Sequence, residues 1–446
     1  MEWNDPDTLF NTTLNYILKI NRDLFQLYLQ KLPLNIFYKL VECSIQLENI
    51  DKFATLIKYW PSTLFDAAKI RNSLKKDHYA VIFNKIKENT VENVTEFDFV
   101  GKSISKFGHQ NKSKENLFTE LFLNFIFEIK KRPYPKRCSA KRVKTKSYQD
   151  ALRSAVLNKE VAQKSDGREY EKIIKYSRKT MTMRIELVVE YENLDRIISV
   201  LTLQEEFIKL KIVCYYFRGI ISTNICKILQ MADKAHLLSI DLGFSIISNK
   251  QTVDVCEALG KCVQLTNLTW NYGDLNWEKF EIISNCISMM SHLNSLNLSL
   301  NYKLFSKIES FATQLPFESI TSLILTGCGI NKHIIKYFST SINLFMNLQF
   351  LDLSSNQNLR KAGKDLVSFI QAISCNIQYL NIMDCNLKSK TLFSICRCFV
   401  GSKQLNVLKI EQIDSTEEYF RKNLYPCLKD ALFLKDFPPV IVNNQN

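Results

Sequence analysis

Three apolar positions, spaced as a first residue, plus three and plus five, recur seven times in the second half of this 446-residue chain. The triplets open at Leu237, Leu265, Leu293, Ile320, Leu348, Ile377 and Leu405, so the interval stays between 27 and 29 residues. A period of that length excludes an ordinary compact domain. Each unit is one strand plus its return segment, too small to bury its own apolar edge, and only stacking on the next unit seals it. Alternation along a strand then sends plus zero, three and five inward, and plus two, four and six outward. At plus eight stand Asn301, Asn356, Cys328 and Cys385, small polar side chains able to bond backbone where the strand turns. A degenerate earlier copy is read at Phe207, Leu210 and Ile212, thirty residues before Leu237.

These features predict an α/β leucine-rich-repeat solenoid, a ribonuclease-inhibitor-like horseshoe with its helices on the convex side. Residues 1–90 read as an N-terminal helical cap, with apolar residues at three-to-four spacing over Leu9 to Leu29 and again over Leu34 to Tyr59. Val94, Phe97 and Phe99 repeat the strand spacing, which puts a first repeat strand and helix in 91–129. Residues 130–180 lack a sustained apolar period and read as a basic disordered insertion. Ile185, Leu187 and Val189 alternate as a strand, a helix is expected over Leu194 to Phe207, and repeats fill 181–415. Residues 416–446 would close the stack, with a helix near Glu417 to Leu434.

The net charge of +14 is concentrated. Lys130 to Lys179 carries 17 Lys and Arg against 5 Asp and Glu, so the solenoid is close to neutral and nucleic-acid binding along it is not expected. The 13 cysteines form no CxxC pair and have no His at ligand spacing, which argues against a disulfide framework or a zinc site. Met1 to Asp7 is polar and acidic and does not resemble the basic start of a secretory signal, and no uninterrupted apolar run reaches about 18 residues. A cytoplasmic or nuclear protein with no membrane partner is therefore expected. No GxSxG, phosphate loop or HExxH occurs, and His78, His109, His236, His292 and His333 stand apart. The expectation is a non-catalytic chain without a cofactor or metal.

Candidate binding residues follow from the outward columns. At plus two, Ser239, Asn267, Ser295 and Ser322 give way to Phe350, Tyr379 and Val407, with Ile324 and Met383 in the neighbouring columns. That bulky stripe reads either as a partner-binding concave face or as a surface covered by the C-terminal tail. Lys141, Arg142 and Lys144 have the K-R-x-K form of a nuclear import signal; a solvated linker and a phosphate-backbone contact are the other readings. Leu32, Pro33, Ile36 and Leu40 have an apolar-Pro-x-x-apolar-x-x-x-apolar spacing at a helix start, where proline costs no hydrogen bond. Simple packing against the first repeat is the rival reading.

The block Leu32-Pro33, Ile36-Phe37 and Leu40, followed by Leu56-Ile57-Lys58-Tyr59-Trp60-Pro61, resembles the N-terminal signature of the PRAME and leucine-rich repeat-containing protein 14 family. Met183 to Val189 is similar to that family's strand where its repeats restart, and Leu424 to Val442 to its closing helix. The resemblance implies a substrate receptor of a cullin-2 RING ubiquitin ligase, with Leu32, Pro33, Ile36 and Leu40 matching the cullin half of the docking box. The elongin B/C half matches less well, since Thr13-Leu14 is followed at the Cys or Ala position by Leu18. It also implies, as the alternative, an inhibitor that masks a signalling kinase subunit of the Toll-like receptor and NF-kappa-B pathway without any ligase. An F-box adaptor on another cullin suits Leu32-Pro33 as well.

Overall fold

The computed structural model describes residues 32–67, 73–88, 96–100, 112–131, 181–202, 208–245, 247–306, 317–399 and 404–410, with a few isolated positions besides. The basic segment past Lys131, with Lys141, Arg142 and Lys144, lies outside the described residues, as do Leu14 and the expected closing helix. The chain divides into two compact units, one built mainly from residues before 186 and the other mainly from residues after 210.

In the first unit, α1 (Leu34–Gln46) starts directly after Pro33 and buries Phe37, Leu40 and Val41 at three-to-four spacing. The helical run expected through Tyr59 is broken at Leu47–Asn49. Glu48 takes a left-handed φ of 53°, and the Asn49 side chain accepts the Lys52 N–H at 3.1 Å to start α2 (Ile50–Lys58). A capping side chain outcompetes the apolar period at that point. The chain then enters β1 (Leu64–Asp66), a strand ahead of the one expected as first. Its inward residues are Phe65 and Ala67, so no leucine triplet announced it. After α3 (Lys76–Glu88), β2 (Glu96–Asp98) falls where Phe97 placed it, and α4 (Lys112–Lys131) follows.

β1, β2 and the start of β3 (Met181–Val189) pair in parallel, with Phe65 opposite Phe97 and Phe97 opposite Met183. The interior is aromatic. Trp60 packs edge-on against Phe37 at 5.4 Å and Phe65 at 4.7 Å, and its indole N–H donates to the Leu64 carbonyl at 3.0 Å. Phe83 stacks on Phe125 at 4.8 Å and also meets Phe99 and Phe118. Across the β2–β3 pairing Arg184 forms an ion pair with Asp98.

The second unit takes the end of β3 from Glu186, then α5 (Leu194–Leu201) and most of β4 (Ile208–Phe217). From there every described pairing is parallel and joins strands consecutive in the chain, through β5 (Ser239–Asp241), β6 (Asn267–Thr269), β7 (Ser295–Asn297), β8 (Ser322–Ile324), β9 (Phe350–Asp352), β10 (Tyr379–Asn381) and β11 (Val407–Lys409). The return segments carry helices: α6 (Ser222–Met231), α7 (Asn249–Gly260), α8 (Trp277–Ser288), α9 (Lys332–Thr340), α10 (Gly363–Ile373) and α11 (Ser389–Cys398). Ser248, Asn276 and Asn331 cap α7, α8 and α9 by accepting backbone N–H groups in the first turn.

All seven predicted triplets point inward, none of their residues more than 6 % exposed. The degenerate copy is out of register: Phe207 lies outside the described residues, Leu210 is half-buried, and only Ile212 holds a repeat position. Cys214 pairs with Ser239 and Tyr215 with Ile240, so the repeat positions of β4 are Ile212, Tyr215 and Phe217, five residues beyond the triplet read from sequence. Two buried aromatic residues there replace the leucines on which the periodic reading depended.

Candidate functional site

The plus-eight side chains do what their size and polarity suggested. The Asn301 carbonyl oxygen accepts the N–H groups of Gly273 and Leu275, both at 3.0 Å, while its amide donates to the carbonyls of Trp270 and Leu298 at 2.8 Å. Asn356 repeats the arrangement on Ile330, Leu325 and Leu353. The Cys328 and Cys385 thiols donate to the carbonyls of Leu298 and Leu353, both at 3.1 Å. Each thus ties its own coil to the preceding one and satisfies buried backbone groups that have no helix or ladder partner. Burial pushes the Cys328 thiol up to about 12, so it stays protonated and serves as a donor, not a nucleophile.

This backbone order fixes the outward columns. A groove of about 550 Å³ runs across β6 to β11, and its wall is the plus-two column read from sequence: Asn267, Ser295, Ser322, Phe350, Tyr379 and Val407. Phe350 and Tyr379 stack with ring centroids 3.9 Å apart and planes 5° from parallel. The Lys409 ammonium sits 5.6 Å from the Tyr379 ring centre on the adjacent strand. Burial raises the Tyr379 phenol above its ordinary value, the Lys409 hydrogen bond opposing, so the ring remains neutral at physiological pH.

The structure separates the remaining candidates. Ile324 is almost fully buried on β8, and Met383 is half-buried beyond β10; neither lines the groove. Between them the plus-four column is held by polar pairing, the Asn381 amide donating to Asp352 at 2.8 Å and the Thr326 hydroxyl to the same carboxylate at 3.1 Å. At the N-terminal box, Pro33 is exposed and Leu32 and Ile36 are half-buried, whereas Leu40 is wholly buried in the first unit. Leu40 therefore serves the interior of α1, because the spacing that aligns it with Ile36 also turns it toward Phe37 and Val41.

Sequence reasoning overlooked the plus-one row. Thr266, Asn294, Thr321, Gln349, Gln378 and Asn406 form the other wall of the groove. The available signal was that this position is uncharged and polar in six consecutive repeats. A second overlooked feature is the residue before the plus-eight slot. Phe244, Tyr272 and Leu300 hold φ of 62°, 55° and 62° there and are exposed, where the later coils use Gly327, Ser355 and Asp384. Among the described residues no group of three or more His, Cys, Asp or Glu could hold a metal ion, and no helix is long and apolar enough to cross a membrane.

Stacked strand-helix coils, a leucine interior and Asn/Cys ties between coils define a leucine-rich-repeat fold, whose usual chemistry is binding through the sheet face. No family model matches the chain. It is 25% identical over 217 residues to NACHT, LRR and PYD domains-containing protein 9 of Bos taurus, covering 47% of this chain and 21% of that protein. To NACHT, LRR and PYD domains-containing protein 14 of Mus musculus it is 27% identical over 172 residues, covering 38% and 17%. The chain thus spans about a fifth of the length of the curated relatives it matches. Among solved structures it is similar to the leucine-rich repeat-containing protein LegL7 of Legionella pneumophila, with 17% identity, a TM-score of 0.36, and 55% of this chain and 79% of that one covered. The TLR13–ssRNA13 complex is a second likeness, at 15% identity and a TM-score of 0.29, covering 56% and 35%.

Proposed function

We propose that this chain is a protein-interaction adaptor that holds a partner on the sheet face of its second unit. The observation that carries the reading is the groove across β6 to β11, with a paired aromatic anchor at Phe350 and Tyr379 and small polar residues beside it. Rigid rings flanked by polar groups are the usual anchors of protein recognition. Within that class, the resemblance of the Leu32 to Pro61 block to the PRAME and leucine-rich repeat-containing protein 14 family favours a substrate receptor of a cullin-2 ligase. Exposed Pro33 and half-buried Leu32 and Ile36 are in keeping with it. Proximity between ligase and bound substrate, rather than chemistry of this chain, would then promote ubiquitin transfer.

Pro33→Ala combined with Ile36→Asp should abolish cullin-2 and elongin co-purification from cells while leaving circular dichroism unchanged; equal recovery of cullin-2 would refute the docking assignment. The alternative is a chain that masks a signalling kinase subunit of the Toll-like receptor and NF-kappa-B pathway without a ligase. Partner abundance separates the two, because degradation lowers it and masking leaves it unchanged. Import through Lys141, Arg142 and Lys144 belongs to the same proposal, and deletion of residues 130–146 with imaging of the tagged chain tests it.

A further inference from the structure

We infer that the groove across β6 to β11 accepts an uncharged, extended polypeptide segment and rejects charged or phosphorylated ones. This rests on the protein-binding reading above and narrows it to a ligand chemistry. The first ground is charge. None of the 12 residues lining the groove is ionised at neutral pH, although 23% of the chain is Asp, Glu, Lys or Arg. Charges do occur two positions along the same strands, at Asp352 and Lys409, so neutrality is a property of the groove and not of the whole face. Asp352 is moreover engaged by Asn381 and Thr326. Lys409 is likewise engaged, its ammonium 5.6 Å from the Tyr379 ring centre. A ligand charge entering the groove along β6 to β9 would lose water and gain no counter-charge.

The second ground is hydrogen-bonding type. Asn267, Asn294, Gln349, Gln378 and Asn406 bring five carboxamides to the lining. A carboxamide presents a carbonyl acceptor and an N–H donor in one plane, which complements a peptide group. Gln378 already donates to Gln349 across the strands at 3.3 Å, showing that the row can act as a ladder of amides.

The third ground is two hydroxyls left over. Ser295 and Ser322 stand opposite each other on β7 and β8, and both line the groove. Ser295 is 3 % exposed, and neither hydroxyl oxygen has a hydrogen-bond partner. A buried hydroxyl without a partner is costly, so a turn of either side chain toward the groove, where a polar ligand atom could complete it, is favoured. An oligosaccharide is also uncharged, but its recognition wants an aromatic face. Here Phe350 and Tyr379 spend a face on each other, in a stack 3.9 Å apart. Peptide amides are the better match.

The test uses the full chain on an array of immobilised peptides. About eight residues suffice, since an extended segment of that length reaches roughly 27 Å and six strands at about 4.8 Å spacing span roughly 24 Å. One set contains Gly, Ala, Ser, Thr, Asn, Gln, Val and Phe; matched sets add a central Lys, Glu or phosphoserine. Retention of the uncharged set about tenfold above the charged sets is expected, the size of an uncompensated charge at a partly dry site. Asn294→Asp with Gln349→Glu, both on exposed side chains, should invert the order so that the Lys set is retained best. Loss of folding cannot produce an inversion. Preference of the unaltered chain for a charged set, or an order that the two substitutions leave unchanged, overturns the inference while the protein-binding reading stands. Capture by a parallel array of neutral oligosaccharides with no peptide retained, or silence on both arrays, overturns both.

Discussion

The two units solve one packing problem with different materials. In the second, Leu and Ile at three fixed positions fill the interior, and Asn or Cys ties each coil to its neighbour. In the first, aromatic side chains of unequal shape, Trp60, Phe65, Phe83, Phe97 and Phe118, interlock in edge-on, tilted and stacked contacts with no repeated tie among the described residues. A ladder distributes its stability over equivalent contacts, so it tolerates imperfect copies. An aromatic cluster instead depends on a few large residues whose contacts are not interchangeable. The first unit should therefore be sensitive at single points and the second sensitive at its ties.

The largest effect expected is at Trp60, fully buried and bonded through its indole to Leu64. Trp60→Ala should cost about 3–5 kcal/mol, as truncation of a buried tryptophan does. Urea denaturation followed by circular dichroism measures it, and a cost under about 1 kcal/mol would show that the first unit is not organised around this ring. Next is Asn301→Ala, which strips partners from the N–H groups of Gly273 and Leu275 and the carbonyls of Trp270 and Leu298. A loss of about 2–4 kcal/mol is expected from several orphaned buried groups. Cys328→Ala, which removes thiol contacts only, should cost less. If the two substitutions proved equal, the ties would not set the sensitivity of the second unit.

That contrast also explains what could be read in the sequence. The seven triplets and the plus-eight slot were legible because one geometric demand is repeated, and each copy corroborates the others. β1 was not, because Phe65 in the three-residue strand and Ala67 just after it stand where leucines would be expected. β4 was placed five residues early because Tyr215 and Phe217 take the leucine positions. For Leu40 the sequence left docking and interior packing both open, since a helix period places it on a face without saying what that face meets. In the groove, the plus-two column followed from strand alternation alone. The carboxamide row did not, because a position just outside a three-residue strand has no period-two argument to orient it.

A third contrast concerns protons. His78 in the first unit is 1 % exposed, its Nδ1 accepts the Lys75 N–H at 3.1 Å, and its Nε2 has no partner. Burial, followed by the nearby Lys75 charge, holds its pKa below the ordinary histidine value. The unfolded chain then binds the proton at higher pH than the native one, so stability is fully present above the unfolded value of about 6.5 and is lost as pH falls toward the native pKa. Denaturation midpoints across that window should decline with acid in the wild type and more weakly in His78→Phe. The variant should lose about 1 kcal/mol at neutral pH for the missing acceptor. An identical acid slope would remove His78 as the cause.

The smallest effect tests the left-handed row. Phe244, Tyr272 and Leu300 occupy positive φ with large side chains in solvent, whereas the later coils place Gly, Ser and Asp at the same position. A bulky residue there bears a backbone cost that glycine does not, against the greater freedom glycine gives the unfolded chain. Since Tyr272 is 56 % exposed, little packing opposes the change, and Tyr272→Gly should alter stability by no more than about 1 kcal/mol, on the favourable side. Both variants lose the Phe244–Tyr272 ring contact at 5.2 Å, and the same substitution at Phe244, which is less exposed at 42 %, should gain less. Thermal melts of the two variants measure the difference. A marked loss at Tyr272 would mean that the exposed ring is held by the fold, and the row would then be a structural feature of the early coils, setting them apart from the later ones by more than sequence drift.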